Sequence, residues 1–312
     1  MALPAIADVR RALPETTITV AAKPSIRWLF SLADDGYSHV GAVGGGHASA
    51  LLLPNSFRSA LDVWRAGIPE RWGYRTDWRG PLLTRSVPPP RRGHQVDYYQ
   101  HLVRALGFPN GPGEPRVVAT DAMRREGAAA LERAGWDGVS PIVAFAPGAA
   151  YGGAKRWPPE YFAELALALI GDGMTVVIVG SAADAPTFRE IAAGLGSAVS
   201  RTRVLNLVGA TDLPTFAGVL ASCRALVTND SGAMHLAAAL GVRVTAVFGP
   251  TNERETGPRG KVRLKPDTTY EHAVLTSEVA CRPCMLRECP IDHRCMRGVS
   301  VGRVLAEARR TR

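Results

Sequence analysis

The sequence contains no apolar run of the roughly 18–20 residues that a membrane-spanning helix needs, and no signal peptide precedes its first element. Cysteine is scarce, with five in 312 residues, and these are expected to be thiols or metal ligands rather than disulfides. Hydrophobic residues make up 46% of the chain and charged residues 21%, as in ordinary globular proteins. A length of 312 residues is enough for two domains, each with its own core. These features predict a cytoplasmic protein.

Two common nucleotide-binding motifs are also missing. No Gly-Lys pair is followed by Ser or Thr, so the chain has no Walker P-loop. No G-x-G-x-x-G follows the first predicted strand, which leaves an NAD-dependent dehydrogenase only weakly supported.

Acidic residues are fewer than basic ones, 28 Asp and Glu against 37 Lys and Arg, which gives a net charge of +9. Residues 65–104 hold eight arginines against Glu70, Asp77 and Asp97. Such a segment suits an anionic membrane surface or a phosphorylated substrate, although a solvated basic face explains it equally well. No nucleic-acid-binding signature accompanies the charge, so nucleic acid ranks last among the partners.

The most informative segment runs from Ala225 to Pro250. An apolar strand ends in the turn Asn229-Asp-Ser-Gly232, a short helix follows and closes at Gly241, and a second apolar strand comes next. Asp230 or Ser231 is placed to cap the helix, and Gly232 lets the backbone approach a ligand. The free N–H groups at the helix start then predict a phosphate site, with His235 one turn inside. The alternative is a capped turn with a satisfied histidine.

A second loop, between Ala146 and Pro159, has the same character. Its glycines expose backbone N–H groups, and Lys155 and Arg156 supply positive charge before the next helix. Two anion-binding turns in one domain are what a diphosphate needs.

Strands alternate with helices of 10–15 residues after Ser140, which predicts a parallel, doubly wound sheet. The first half has shorter segments of the same kind. We therefore expect two Rossmann-like domains, over residues 1–138 and 139–312, hinged near 136–140.

Several motifs in order resemble glycosyltransferase family 9, and the resemblance extends over nearly the whole chain. They are Leu53-Pro-Asn-Ser-Phe-Arg-Ser-Ala60, Pro147-Gly-Ala, Ala154-Lys-Arg-Trp-Pro158, Val179-Gly-Ser-Ala, Asn206-Leu-Val-Gly, Thr228-Asn-Asp-Ser-Gly and Cys281-Arg-Pro-Cys-Met-Leu-Arg-Glu-Cys-Pro290. The resemblance implies a GT-B fold, two Rossmann-like domains facing a cleft. It also implies an inverting, metal-independent enzyme without a cofactor, which moves heptose from ADP-heptose to the first heptose of the inner lipopolysaccharide core.

The resemblance assigns candidate substrate-binding residues in both domains. Lys155 would contact the diphosphate, while the loop at Asp230, with Ser231 and His235, would face the second phosphate and the sugar. The remaining candidates are Gly148, Asn229 and Gly232 on the donor side, the segment Gly180–Asp184 near the ribose or adenine, and Asn55, Ser56 and Arg58 on the acceptor side. Simple turn capping is an equal alternative for the last three.

Two departures from the family stand out. Ala150 occupies a position that is usually acidic in relatives, and the chain opens at Met1 inside the first helix. The first strand and the aspartate thought to be the general base therefore have no counterpart, which suggests an upstream start or a truncated form. Asp8 matches no motif and is expected at the surface, so the catalytic residue stays unassigned. We expect a first domain less stable than the second.

Two other functions stay open at this point. One is a family relative with a different nucleotide-sugar donor, and the other is a nucleotide-binding protein without catalysis.

The remaining signals are weaker. Cys281, Cys284, Cys289 and Cys295, with His293 nearby, suggest either structural zinc or buried thiols. Cys223 is expected in the core. Trp64, Trp72 and Trp78 are expected to pack, although a role as sugar-binding platforms fits them as well. Residues 299–312 predict an amphipathic basic helix that crosses back to the first domain.

Overall fold

A computed structural model describes residues 1–32, 37–196, 203–265 and 268–310. It divides into two compact units, Met1–Val118 and Ala119–Arg312. In the described ranges, no helix is long and apolar enough to cross a membrane.

The first unit forms two small parallel sheets, β1-β2 and β3-β4-β5. Its elements are α1 (Leu3–Ala12), β1 (Thr19–Ala21), α2 (Pro24–Ser31), β2 (Ser38–Val40), β3 (Ser49–Leu52), α3 (Phe57–Arg65), β4 (Glu70–Tyr74), β5 (Arg85–Val87) and α4 (Gln95–Ala105). Apolar residues of α3 pack against Leu52, and residues of α4 pack against Tyr74. The strands have three to five residues each, so each core is small.

Asp8 corrects a sequence-based expectation. Its carboxylate is fully buried rather than at the surface. It accepts hydrogen bonds from Gln100 Nε2 and Gly111 N, each at 2.9 Å, and pairs with Arg11. A carboxylate with these partners ties α1 to α4 and to the loop after α4, because a buried charge is tolerated only when it is paired and hydrogen-bonded.

The second unit is built on a six-stranded parallel sheet of order β13-β10-β9-β6-β7-β8, with the pair β11-β12 beside it. Its elements are α5 (Asp121–Arg133), β6 (Ile142–Ala146), α6 (Pro159–Gly171), β7 (Thr175–Gly180), α7 (Ala185–Leu195), β8 (Val204–Val208), α8 (Leu213–Ser222), β9 (Ala225–Asn229), α9 (Gly232–Ala239), β10 (Arg243–Phe248), α10 (Glu253–Thr256), β11 (Lys261–Lys265), β12 (Thr268–Glu271), β13 (Ala273–Thr276), α11 (Arg294–Arg297) and α12 (Val301–Arg309).

Apolar side chains cover both faces of this sheet. One cluster joins Phe145 and Ile178 to α6, α7 and α12, and the other joins Ala144 and Leu226 to α5, α8 and α9. All residues of β6, β9 and β10 are buried, as expected for central parallel strands covered by helices on both sides. The predicted doubly wound sheet is confirmed.

The compact units divide before α5, whereas the sequence predicted a boundary at 138–139. The physical reason is a close contact between α5 and α8. Gly127 and Gly218 face each other with no room for a Cβ on either, so the two backbones touch. This packing places α5 with the second unit.

The C-terminal helix packs on the second unit, where Val301, Val304 and Ala308 enter its core. Glu307 pairs with the buried Arg243 at 2.8 Å, and Arg309 pairs with Asp172 of α6 at 2.8 Å. The amphipathic helix is confirmed, but these contacts correct the expectation that it crosses back to the first domain.

Candidate active site

The candidate donor residues lie at one edge of the six-stranded sheet. Four neighbouring strands, β10, β9, β6 and β7, end there, and the loops that follow them carry the residues singled out from the sequence. Ligands of open α/β sheets bind at the carboxyl ends of the strands. Parallel pairing therefore brings together loops that are far apart in the chain.

Lys155 and Asp230 form the centre of this edge. Lys155 Nζ lies 2.6 Å from Asp230 Oδ2, and Thr251 Oγ1 donates to the same oxygen at 2.8 Å. The two charged side chains are only 12% and 7% exposed. The lysine also lies 4.7 Å from the ring centroid of Tyr151. The carboxylate thus fixes the ammonium at the mouth of both loops, where it retains further N–H donors for an anion.

Asn229 joins the two loops from below. Its Oδ1 accepts from Trp157 N at 3.0 Å, and its Nδ2 donates to Pro147 O at 2.7 Å. The residue is fully buried, so its amide is engaged with the protein itself. Asn229 therefore shapes the Lys155 loop instead of presenting its side chain to a ligand.

The start of α9 differs from the sequence-based expectation. Ser231 occupies the N-cap position, yet its hydroxyl lies 3.1 Å from Thr228 Oγ1, and the carboxylate of Asp230 is engaged with Lys155. Within the described residues, no side chain caps this helix. Gly232 is exposed, and a Cβ added there would meet no described atom within 4 Å. The first N–H groups of α9 are therefore left without a side-chain cap, as an anion site at a helix start requires.

His235 lies in the first turn of α9 and is half-buried. It is on the same helix end as Gly232, as the sequence predicted.

The nucleoside-side candidates meet at a third loop. Asp184 accepts from Ser181 N at 2.8 Å and from Ser181 Oγ at 2.9 Å, which closes a capping box before α7. A Cβ on Gly148 or Gly180 would collide with the Asp184 side chain, which would have to leave its hydrogen-bonded position to make room. The Gly148 loop and the segment Gly180–Asp184 are thus in direct contact.

The sequence did not reveal a second support of the Lys155 loop, the cysteine-rich segment Cys281–Cys289. Glu288 Oε1 accepts from Gly153 N at 2.9 Å, and Arg287 O accepts from Ala154 N at 2.9 Å. Tyr151 OH donates to Met285 O at 2.8 Å. These contacts span more than 130 positions in the chain, and no local pattern could have announced them.

The cysteines of this segment differ in exposure and in their contacts. Cys281 and Cys284 are exposed, Cys289 Sγ accepts from His293 N at 3.3 Å, and Cys295 is buried beneath Gly249. Burial, with the neighbouring thiols, raises the pKa of Cys295. Among the described residues, no group of three His, Cys, Asp or Glu side chains could hold a metal ion.

The acceptor-side candidates of the first unit lie around the start of α3. Ser56 caps this helix by accepting from Ser59 N at 3.3 Å, so turn capping explains it. Asn55 Nδ2 donates to Tyr98 OH at 2.8 Å, and the exposed Arg58 pairs with Asp62 at 3.0 Å.

Arg58 also lines an open groove of about 600 Å³ in the first unit. The groove lies at the ends of β1 and β2 and against α3. Its charged residues are Lys23, Arg58, Asp62 and Arg65, which leaves a positive excess.

The family description "Glycosyltransferase family 9 (heptosyltransferase)" matches residues 43–293, most of the chain and all of the loops described above. The chain belongs to glycosyltransferase family 9. Lipopolysaccharide heptosyltransferase 2 of Salmonella typhimurium is 37% identical over 238 residues, covering 74% of this chain and 68% of the relative. The protein of the same name from Escherichia coli is 35% identical over 241 residues, with the same two coverages. This family 9 chain is accordingly a glycosyltransferase, similar to heptosyltransferase II.

Solved structures agree with the family assignment. The structure of Escherichia coli ADP-heptose lps heptosyltransferase II matches with a TM-score of 0.81 and 28% identity, over 99% of this chain and 93% of that chain. A family 9 glycosyltransferase from Veillonella parvula matches with a TM-score of 0.80 at 18% identity, over 99% of this chain and 92% of that chain, which shows the fold alone. The predicted GT-B type of fold, with two Rossmann-like parts, is confirmed.

Proposed function

We propose that this family 9 protein is an inverting heptosyltransferase, which moves heptose from ADP-heptose to the inner core of lipopolysaccharide. The observation that carries the proposal is the Lys155–Asp230 pair beside the uncapped start of α9, at the carboxyl edge of the sheet. The relatives named lipopolysaccharide heptosyltransferase 2 support the choice of sugar and acceptor.

The donor diphosphate would bind between the two loops. Lys155, held by Asp230, would donate to one phosphate, and the N–H groups of Ser231 and Gly232 would donate to the other. His235 and Gly148 would border the sugar and the nucleoside, respectively. As the bond between the anomeric carbon and the diphosphate breaks, negative charge grows on ADP, and the fixed ammonium and helix dipole stabilise it. These groups do the work of a divalent metal, so we propose metal-independent transfer.

The acceptor hydroxyl would attack the anomeric carbon from the face opposite the diphosphate. A new C–O bond forms as the bond to ADP breaks, and a base takes the hydroxyl proton, so the configuration inverts. Asp8 is unsuited to be that base, since its buried carboxylate is occupied by Gln100, Gly111 and Arg11. The base stays unassigned.

The acceptor would bind on the first unit, at the face that carries Asn55, Ser56 and Arg58. The groove lined by Lys23, Arg58 and Arg65 offers positive charge to a phosphorylated saccharide. An acceptor anchored in the inner membrane would bring the enzyme to the cytoplasmic surface of that membrane, where the arginines of residues 65–104 would meet anionic lipid.

A transfer assay tests this function. The protein is incubated with a heptose-terminated lipopolysaccharide core and ADP-heptose, UDP-glucose or GDP-mannose, with and without EDTA. We expect a product from ADP-heptose only, in the same amount with EDTA as without it. NMR should show that the transferred heptose has the inverted anomeric configuration. Transfer from another donor would assign a different sugar. ADP binding without any transfer would favour a nucleotide-binding protein without catalysis.

A further inference from the structure

Trp78 is the most exposed large hydrophobic residue among those described, with 93% of its surface open. Packing was the expectation for this side chain, with a sugar-binding platform as the alternative, and its exposure corrects the first of these. The next residue, Arg79, is fully buried. The apolar side chain of this pair is thus exposed and the charged one is buried, the reverse of what the hydrophobic effect favours.

The backbone at this point is unfavourable. Asp77 has φ 49° and Trp78 has φ 57°, so two successive residues with side chains adopt the left-handed region. Aspartate tolerates this conformation, whereas a bulky aromatic residue there is an outlier. Such residues persist only where surrounding contacts enforce them, and they concentrate at functional sites.

Hydrogen bonds from the residues that flank Trp78 supply such contacts. Asp77 Oδ2 accepts from Phe57 N at 2.6 Å, and Thr76 Oγ1 donates to Asn55 O at 3.0 Å. Arg79 Nε donates to Tyr74 O at 2.8 Å, and its Nη1 donates to Ser59 Oγ at 3.1 Å and to Pro54 O. The turn is therefore fixed to the loop 54–59, and the indole is presented on a rigid support.

The position of the turn points to a ligand. It follows β4, while the loop 54–59 follows the neighbouring parallel strand β3. Both lie at the carboxyl edge of the sheet of the first unit, which is where open α/β sheets bind ligands. Two polar residues adjoin the turn: Asn55, whose carbonyl accepts from Thr76, and the exposed Arg75.

We propose that the Trp78 indole is the platform on which a pyranose ring of the acceptor saccharide stacks. The inference rests on the proposed function and adds to it a specific contact with the acceptor. An indole has an electron-rich face, and one face of a pyranose presents C–H groups that carry partial positive charge. The hydroxyl groups at the ring edge would then reach polar partners such as Asn55.

The surroundings favour a saccharide over a lipid surface. The residues next to the indole in the turn, Thr76, Asp77 and Arg79, are polar or charged rather than apolar. An amphipathic ring, apolar on its faces and polar at its edges, fits a single aromatic side chain set among polar groups.

The test compares Trp78→Ala with Trp78→Phe. The probe is a delipidated, heptose-terminated core oligosaccharide, and its Kd is measured by calorimetry. We expect about a tenfold increase of Kd in Trp78→Ala, since an aromatic contact of this kind contributes roughly that factor, and substantial recovery in Trp78→Phe. The affinity for ADP and the Tm should not change, because the side chain is exposed. Trp64→Ala, on the outer part of α3 and 52% exposed, is the matched control.

The outcomes separate this inference from the proposed function. An unchanged oligosaccharide Kd in Trp78→Ala overturns the platform, and so does wild-type protein that binds ADP but no oligosaccharide. A defect seen only with full-length acceptor in vesicles also overturns it, in favour of a lipid contact. The protein could also bind the oligosaccharide through Trp78 without binding ADP. That result would support the platform and refute ADP-heptose as the donor.

Discussion

The two units hold their candidate residues in different ways. In the second unit, the Lys155 and Asp230 loops extend from a continuous six-stranded sheet whose strands β6, β9 and β10 are entirely buried and mostly apolar. In the first unit, two short sheets have small apolar cores, and buried polar groups such as Asp8 and Arg79 join the elements. The first unit thus depends more on hydrogen bonds, and the second on apolar burial.

This difference has a consequence for binding. Rigid strands fix the donor loops of the second unit, so their polar side chains can be paired and only slightly exposed before a ligand arrives. The acceptor face of the first unit carries exposed side chains, including Arg58 and Trp78, on loops that polar anchors hold. Changes to the apolar core should therefore affect mainly the second unit, and changes to buried polar anchors mainly the first.

The largest effect is expected from Phe145→Ala. Phe145 is fully buried in β6, where it contacts Phe162 with ring centroids 5.5 Å apart. Its removal leaves a cavity and should reduce the free energy of unfolding by about 4 kcal/mol. When denaturation is monitored by hydrogen exchange, the loss of stability should appear in the amides of the second unit. The exposed Leu167→Ala in α6 is the control, and equal losses in both variants would refute a core-dependent second unit.

Asp8→Ala should give the next largest effect, and in the first unit. The substitution leaves the donors of Gln100 and Gly111 without their carboxylate, which should cost about 3 kcal/mol. Asp62→Ala is the matched control, because its pair with Arg58 is exposed and contributes about 0.5 kcal/mol. If Asp8→Ala is as mild as its control, polar anchoring of the first unit is wrong.

A smaller effect, on ligand binding, is expected from Glu288→Ala. Glu288 supports Gly153 N from the cysteine-rich segment, so its loss should loosen the Lys155 loop and weaken ADP binding about fivefold. Glu288→Gln keeps an oxygen acceptor and should retain near wild-type affinity. Wild-type affinity in Glu288→Ala would show that this contact does not position the loop.

The smallest effect concerns the thiols, which should react with a labelling reagent at different rates while the fold stays unchanged. Burial raises the pKa of Cys223 to about 12 and also raises that of Cys295. Since the thiolate is the nucleophile, a maleimide at pH 8 should label the exposed Cys281 and Cys284 first and Cys223 last. Mass spectrometry gives the order, and early labelling of Cys223 would contradict the packing of α8.

The sequence predicted the second unit well because its signals are local. Apolar runs for β6, β7, β9 and β10, and glycines in the loops that follow them, lie side by side in the chain. The sheet then brought Lys155 to Asp230 as parallel pairing requires. Asn229 was named as a substrate-binding candidate, and only the structure shows that its amide joins the two loops.

The failures in the prediction come from contacts between distant positions. Asp8 matched no motif, and its burial depends on Gln100 and Gly111, about a hundred positions away. Trp78 was expected to pack because nothing local marks a left-handed turn there; neither Asp77 nor Trp78 is glycine. The contact of α5 with α8, which two distant glycines make possible, also left no local signal in the sequence.

The central claim is that Lys155, fixed by Asp230, binds the diphosphate of an adenine nucleotide. Calorimetric titration of the whole protein with ADP, UDP and NAD tests it most directly, with Lys155→Met compared to Arg189→Met, an exposed residue of α7 with the same charge. We predict a preference for ADP, and an affinity about 10- to 100-fold lower in Lys155→Met but unchanged in Arg189→Met. Equal weakening in the two variants, or no binding of ADP by the wild-type protein, would contradict the claim.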